Sequence, residues 1–317
     1  MKKIIGMGNA LVDVLMQINN DDLLEDLDIP RGSMQLIDQD RMLQIKCATK
    51  ELKRHIMAGG SASNTLSGLS QFGLECGLIG KIGQDEDGAY FNYALSNLHI
   101  NSHLLKSEHH TGICHVLISK DSERTMNTYL GAALDLKASD LDEDLIKQYD
   151  LFHVEGYLVQ NKDLMIQMGV LSKKHGLKVS LDLASFNIVE ECNDFLHDFV
   201  REYVDILFAN ELESRAFTGL SDEKEAVELM AQMVDIAVVK CGSRGSYIKA
   251  RESKETIFIP ALKVNPVVDT TGAGDAYAAG FLSAWSEDLD LESCGKRGTE
   301  CAAKVIRIIG PRTSFKA

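Results

Sequence analysis

The chain is short of proline, of aromatic residues and of positive charge, and these shortages narrow what it can be. Four prolines in 317 residues provide no Pro-rich linker, so no break in composition marks a hinge between domains. Basic side chains number 33 against 47 acidic ones, a formal charge of 33 − 47 = −14. Binding to nucleic acid or to an anionic membrane needs a basic footprint, so neither is expected as a partner. No apolar run approaches the ~18 uninterrupted residues of a membrane-spanning helix. The cysteines, seven and therefore odd in number, include no C-x-x-C pair. They read as reduced, mostly buried thiols of a cytoplasmic protein. The start, MKKIIGMGNALVDVLM, is interrupted by Asp13 and followed by no small-residue cleavage site. It reads as a first strand rather than an export signal.

Familiar signatures are also missing. There is no G-x-x-x-x-G-K-[ST], no G-x-G-x-x-G behind the first strand and no G-x-S-x-G. The P-loop, the nicotinamide oxidoreductase fingerprint and the hydrolase elbow are thereby removed. His99 and His103 are four apart, with His109, His110 and His115 nearby, but no Cys or Glu stands at ligand spacing, so no zinc site is expected.

What is present is a rhythm. Apolar runs at residues 3–7, 77–82, 151–154, 178–182, 206–209 and 236–240 alternate with helical periodicity, as at 162–174 and 223–233. This predicts an α/β fold with a mainly parallel central sheet and helices on both faces. Residues 14–37 and 111–129 break the rhythm with short alternating segments between polar turns. They predict a small antiparallel sheet, acting as a discontinuous lid on a single domain spanning residues 1–317.

The most informative string is DTTGAGDAYAAG at residues 269–280. Gly272 and Gly274 flank Ala273 and lead into a helix rich in small residues. Glycine permits φ > 0 and close ligand approach, and the first amides of a helix have no intrahelical acceptor. Gly272, Ala273 and Gly274 thus form an anion hole, reinforced by the helix dipole and suited to a phosphoryl group. Asp275, in the first turn, stands where a carboxylate can take the proton of an attacking hydroxyl. An Asp there also complements the dipole without any chemistry. The two glycines, and a second carboxylate at Asp269, favour the catalytic reading.

At these residues the chain resembles the ribokinase family of sugar and nucleoside kinases, also called the PfkB family. DTTGAGD is similar to one signature of that family and GGSASNTLSGLSQFG, at residues 59–73, to the other. Further matches are GNALVD at 8–13, GKIGQDEDG at 80–88, NELE at 210–213 and the glycines Gly242 and Gly245 behind AVVKC. The resemblance implies a ribokinase-like fold, ATP as phosphoryl donor, Mg²⁺, and Asp275 as catalytic base. It implies that Asp13, at the end of the first strand, accepts from two vicinal hydroxyls. Gly59 and Gly60 would admit the sugar to the backbone and Asn64 would read a hydroxyl; taken alone, Asn64 is also a plausible first-turn helix residue. Arg124 corresponds to a lid arginine reaching toward phosphate or substrate, and taken alone is a surface cation.

Asn210 and Glu213 correspond to the pair that organises Mg²⁺ through water, although NELE by itself is a solvated helix start. Asn210, Lys240, Gly242 and Gly245 correspond to the nucleotide site, with Lys240 standing where the family commonly has threonine. Asp269, Thr271 and residues 310–314 resemble segments that cage K⁺, mainly through backbone carbonyls. Lids of this family in some members also join homodimers.

Ribokinases usually carry Gly-Gly-Lys-Gly-x-Asn, whereas this chain has Gly59-Gly60-Ser61-Ala62-Ser63-Asn64. NALVD, GGSASN and YLGAALDL are more similar to the adenosine-kinase-like branch, which phosphorylates a nucleoside at its 5′-hydroxyl. The expected reaction is ATP-dependent phosphorylation of a primary hydroxyl on a sugar or ribonucleoside, adenosine-like or ribose-like. The alternatives are a fructokinase-type hexose kinase and a catalytically silent sensor of the same fold. Met34, Leu36 and Leu130 are candidates to hold a base, or else belong to the lid core.

Overall fold

A computed structural model describes residues 2–121 and 123–315; residues 1, 122, 316 and 317 of the expected domain and lid lie outside it. In chain order the strands are β1 Ile4–Met7, β2 Leu11–Gln17, β3 Met34–Leu36, β4 Arg54–Ala58, β5 Cys76–Gly83, β6 Ile100–Ser107 and β7 Gly112–Ile118. They continue with β8 Arg124–Tyr129, β9 Leu151–Glu155, β10 Lys178–Asp182, β11 Ile206–Asn210, β12 Ile236–Lys240, β13 Gly245–Ala250 and β14 Ile257–Pro260.

The large sheet has the order β14-β13-β12-β11-β10-β9-β1-β5-β6. Neighbours from β12 to β6 pair parallel, while β13 and β14 turn back antiparallel. Both faces are buried, which is why its inner strands read as continuous apolar runs. Ile4, Phe208 and Val238 point to one side with Phe281; Ile5, Leu207 and Val239 point to the other with Phe152 and Leu181. Side chains alternate across a strand, so one run feeds two cores. β6 was not anticipated. As the sheet's edge it is only partly covered, its interior residues are mostly half-buried or exposed, and its apolar signal is correspondingly weak.

The parallel topology carries β9, β10, β11 and β12 to a common edge, where they end on Glu155, Asp182, Asn210 and Lys240. Asp182 is in register with Glu155, and Asn210 with Lys240. Ligands of open α/β sheets bind beyond such carboxyl ends.

The second sheet has the order β3-β8-β7-β2-β4. The expected antiparallel pairing holds for β2–β4 and β7–β8, whereas β2–β7 and β3–β8 are parallel. It also contains β4, outside the residues expected for it; RHIMA is an edge strand exposed along much of its length and carries little pattern. Asp13 needs correction as well. It lies not at the end of the first strand but within β2, beside Met57 and Cys114. The chain leaves β1 at Met7 and passes so close to Glu155 that a Cβ on Gly8 would lie 2.3 Å from its carboxylate, before starting a new strand at Leu11.

The helix Ala273–Ser286 packs against the helix Leu291–Val305 through small residues: a Cβ on Gly280 would stand 2.6 Å from the Arg297 carbonyl. Phe281 on the same helix is fully buried, edge-on to Phe208 at 5.3 Å between ring centres. Phe281→Ala is expected to destabilise the fold by about 3–5 kcal/mol through lost burial and a residual cavity. Urea unfolding measures this, and an unchanged midpoint would contradict the packing described.

Candidate active site

Gly272 caps the helix Ala273–Ser286 with φ +71°, and a Cβ there would lie 2.4 Å from Pro311. That left-handed turn suits glycine. Ala273 N–H donates to the Thr270 carbonyl (3.1 Å) and Ala276 N–H to that of Gly272 (2.8 Å). Among the described residues, the amides of Gly274 and Asp275 donate to no protein acceptor. These two amides are free to donate to an anion, whereas that of Ala273, expected to share the task, is taken by Thr270.

Asp275 stands beside them. Its Oδ1 accepts from Ser61 Oγ (2.7 Å) and its Oδ2 from Asn64 Nδ2 (3.0 Å). Burial pushes its pKa up to about 6, against the lowering effect of those two hydrogen bonds. The carboxylate is therefore oriented, ionised at neutral pH and more basic than an ordinary Asp. Ser61, which the sequence presented only as the replacement for a lysine, holds it.

Ser61 and Asn64 lie in the first turn of the helix Ser61–Gln71, whose N-cap, Gly60, has no side chain to cap it. Glu155 supplies the missing acceptor from β9: it takes the N–H of Ala62 at 2.9 Å and that of Asn9 at 2.8 Å. Burial raises its pKa to about 7, opposed by those amides. Glu155 was not anticipated; its signal was a lone carboxylate closing the run LFHVE. The loop before the helix rests on Asp13 and Asn9. A Cβ on Gly59 would stand 2.4 Å from the Asp13 carboxylate, and one on Gly60 would stand 2.3 Å from the Asn9 carbonyl. Asp13, Gly59, Gly60 and Asn64 are thus brought together. Burial also raises Asp13, to about 7, while Arg312 and Arg124 pull it down.

Arg124 does not reach into an open phosphate site. One Nη donates to Thr271 Oγ1 at 2.6 Å and the other pairs with Asp269. Asp269 also accepts from Thr271 N–H (3.0 Å), Thr271 Oγ1 (2.8 Å) and Gly310 N–H (2.7 Å). Its carboxylate is fully engaged, leaving backbone carbonyls as the remaining acceptors for a cation at this loop.

At the end of β11, Asn210 and Glu213 form a capping box: Glu213 accepts from Asn210 N–H (2.8 Å) and Nδ2 (2.7 Å), and Asn210 Oδ1 accepts from Glu213 N–H (2.9 Å). Burial, then Asp182, raises Glu213 to about 7. Lys240 Nζ sits 2.6 Å from Asp182 and 3.1 Å from where a Gly274 Cβ would be, directly under the anion hole. Burial draws its pKa down, but Asp182, Glu213 and Asp275 outweigh that and hold it above the ordinary lysine value. Asp182 was not singled out from the sequence. No group of three or more potential metal-ligating side chains occurs among the described residues. The oxygen set of Asp182, Glu213 and Asn210 fits Mg²⁺ that keeps most of its water. Gly245 needs correction: with φ +136° and a Cβ that would lie 2.1 Å from the Ile259 carbonyl, it serves the hairpin. Gly242, at φ +50°, is open: a Cβ there would meet, beyond its chain neighbours and among the described residues, Glu211 alone, at 3.6 Å.

Leu15, Cys114 and Val116 form an apolar patch with Met57, Ile118 and Met126. Asp13 is in register with Cys114 and Met57, and residues two apart share a face, so the patch lies on the Asp13 side of the small sheet. Met34 and Leu36 are instead exposed, at 48% and 63%, on edge strand β3, and Leu130 follows β8 outside this patch. The edge position explains the exposure of Met34 and Leu36.

A family profile described as pfkB family carbohydrate kinase matches residues 34–317. A solved adenosine kinase from Sinorhizobium meliloti superposes with a TM-score of 0.88 at 32% identity, covering 98% of this chain and 96% of that one. The adenosine kinase of Saccharomyces cerevisiae is 26% identical, over 97% of this chain and 96% of its own length. The nucleoside kinase of Methanocaldococcus jannaschii is 29% identical, over 81% and 82%. The chain is a phosphotransferase with an alcohol acceptor and a member of the pfkB family of carbohydrate kinases, with the ribokinase-like fold.

Proposed function

We propose that this chain transfers the γ-phosphoryl group of ATP to the primary 5′-hydroxyl of a ribonucleoside. The observation that carries the reading is the oriented, weakly basic carboxylate of Asp275 beside two unpaired helix-terminal amides. Asp275 takes the hydroxyl proton as the oxygen attacks phosphorus. The new O–P bond forms while the bond to the β-phosphate oxygen breaks, and ADP leaves with that electron pair. The amides of Gly274 and Asp275 receive the charge on the transferred group, with the Lys240 ammonium beneath them. Mg²⁺ near Glu213 and Asp182 would supply further neutralisation of the phosphate oxygens. Asp13, with Gly59, Gly60 and a remaining lone pair of Asn64 Oδ1, addresses the sugar hydroxyls.

Met57, Ile118 and Met126, half-buried over the buried Leu15, Cys114 and Val116 on the Asp13 side of the small sheet, would give a nucleoside base an apolar wall that ribose or a hexose does not need. The names of the S. meliloti, S. cerevisiae and M. jannaschii relatives agree with this. An ATP-consumption screen with adenosine, ribose and fructose should show turnover with the nucleoside. Preference for fructose would mark a hexose kinase, and binding without turnover a sensor.

Asp275→Asn is expected to lower kcat by about 10²–10⁴-fold with nucleoside binding nearly intact. In the unaltered protein, kcat should rise with pH through about 6 as Asp275 ionises. Full activity of the variant would remove Asp275 from the mechanism.

The same carboxylates load the fold. Asp13, Glu155 and Glu213 titrate near about 7 and Asp275 near about 6, all above their unfolded values. Groups shifted upward favour the fold below their unfolded pKa and lose that contribution as pH rises through the folded one. The melting temperature of the ligand-free protein should therefore fall between about pH 5 and about pH 8, less steeply in Asp275→Asn. A rise over that interval in differential scanning fluorimetry contradicts this.

As a lid, the small sheet would exclude water during transfer. Nucleoside binding should then slow hydrogen exchange in residues 14–37 and 111–129; unchanged exchange there would leave the sheet a fixed wall.

A further inference from the structure

Arg312, in the loop after the helix Leu291–Val305, carries a half-buried guanidinium whose hydrogen bonds go to two neutral side chains. Its Nε donates to Asn64 Oδ1 at 3.0 Å and its Nη2 to Ser63 Oγ at 2.7 Å. Burial lowers its pKa to about 10, against Asp13, Tyr90 and Asp275, so it stays charged at neutral pH. A partly desolvated cation held by neutral acceptors gains less than one paired with a carboxylate, which makes its placement informative.

The chemistry of the three groups in line leaves one arrangement. Arginine only donates, an ionised carboxylate only accepts, and an amide presents one atom of each kind. With Oδ1 of Asn64 held on Arg312, Nδ2 must face Asp275, where it lies 3.0 Å from Oδ2. Flipping the amide would set its NH₂ against the guanidinium and its oxygen against the carboxylate. Arg312 is absent from all the signatures read in the sequence except the loop GPRTS, where it had no assigned part.

We propose that Arg312 is a positioning residue for phosphoryl transfer: it locks the Asn64 amide, and the locked amide holds Asp275 in the pose that receives the substrate proton. The proposal rests on Asp275 being the catalytic base. The other groups facing Asp275 are Ser61 from the same helix as Asn64, Asp182 and Glu155 at the ends of β10 and β9, Lys240 at the end of β12, Asp13 on β2, and Tyr157. Of these, Asp13 also feels the loss of Arg312, which pulls its pKa down; the others keep their hydrogen bonds. The loss of a nearby positive charge and a fixed donor then moves Asp275 to a higher pKa.

The test is a double-mutant cycle with Arg312→Ala, Asn64→Ala and the double variant, together with a ¹³C-carboxyl NMR titration of Asp275 assigned through Asp275→Asn. Arg312→Ala should lower kcat about 10- to 100-fold, and KM for ATP should stay within about threefold. The acid limb of its kcat profile and its Asp275 titration should both move to higher pH. The double variant should be no slower than Asn64→Ala, because the two residues act in series. If Arg312→Ala does not fold, Arg312→Lys carries the test: it keeps the charge and one donor, loses the two-point grip, and should shift kcat and the titration the same way by less. Multiplying losses, a KM effect with kcat unchanged, or an unmoved Asp275 titration would each overturn the lock. The NMR titration needs no turnover, so a protein that phosphorylates none of the screened acceptors refutes the proposed function separately.

Discussion

Asp275 is gripped by a helix from the other half of the chain, and the site depends on that contact. Ser61 and Asn64, in one helix's first turn, close on a carboxylate in the first turn of another, more than 200 residues away. Two helix N-termini thus converge on one anion, each with unsatisfied amides and a positive dipole end. The rest of the local structure secures this approach. Glu155 caps the first helix, Gly272 turns the chain tightly enough over Pro311 to start the second, and small residues let that second helix lie close to its neighbour.

The electrostatics of the edge follow from the same packing. Parallel strands deliver their ends to one place, and the residues there are acidic: Glu155, Asp182 and, one turn beyond β11, Glu213. Burial makes their charges unfavourable, and Lys240 is the cation set among them. The net charge of −14 is thus not evenly relevant. The positive potential that a nucleotide needs is local, in two amides and a lysine beneath them, with Arg312 fixing geometry nearby. The global surplus of negative charge opposes the approach of ATP only weakly, because exposed charges are screened beyond about 10 Å.

Much of this was legible before any coordinates. The inner strands of the sheet announced themselves because burial on both faces demands unbroken apolar runs. DTTGAGD was legible because a turn with φ > 0 followed by an anion-binding helix start calls for particular residue types at adjacent positions. Edge strands β4 and β6 were not, since one-sided pairing and exposure leave them without a pattern. Glu155, Asp182 and Arg312 were missed for a different reason: each is a single polar residue, and its part depends on neighbours 58 to 249 positions away. Arg124 shows the converse, a residue whose type suited a ligand and whose fold gave it to Asp269.

The amino-acid sequence by itself determined the class of fold and the glycine turn that opens a helix with a carboxylate in its first turn, because these rest on local backbone preference and on the periodicity of burial. Only the tertiary structure decided how that carboxylate is held, which cation underlies the amides and which residues share the Asp13 face of the small sheet. Those depend on strand order and register, which bring distant residues within hydrogen-bonding range and leave no trace in the spacing of any one segment.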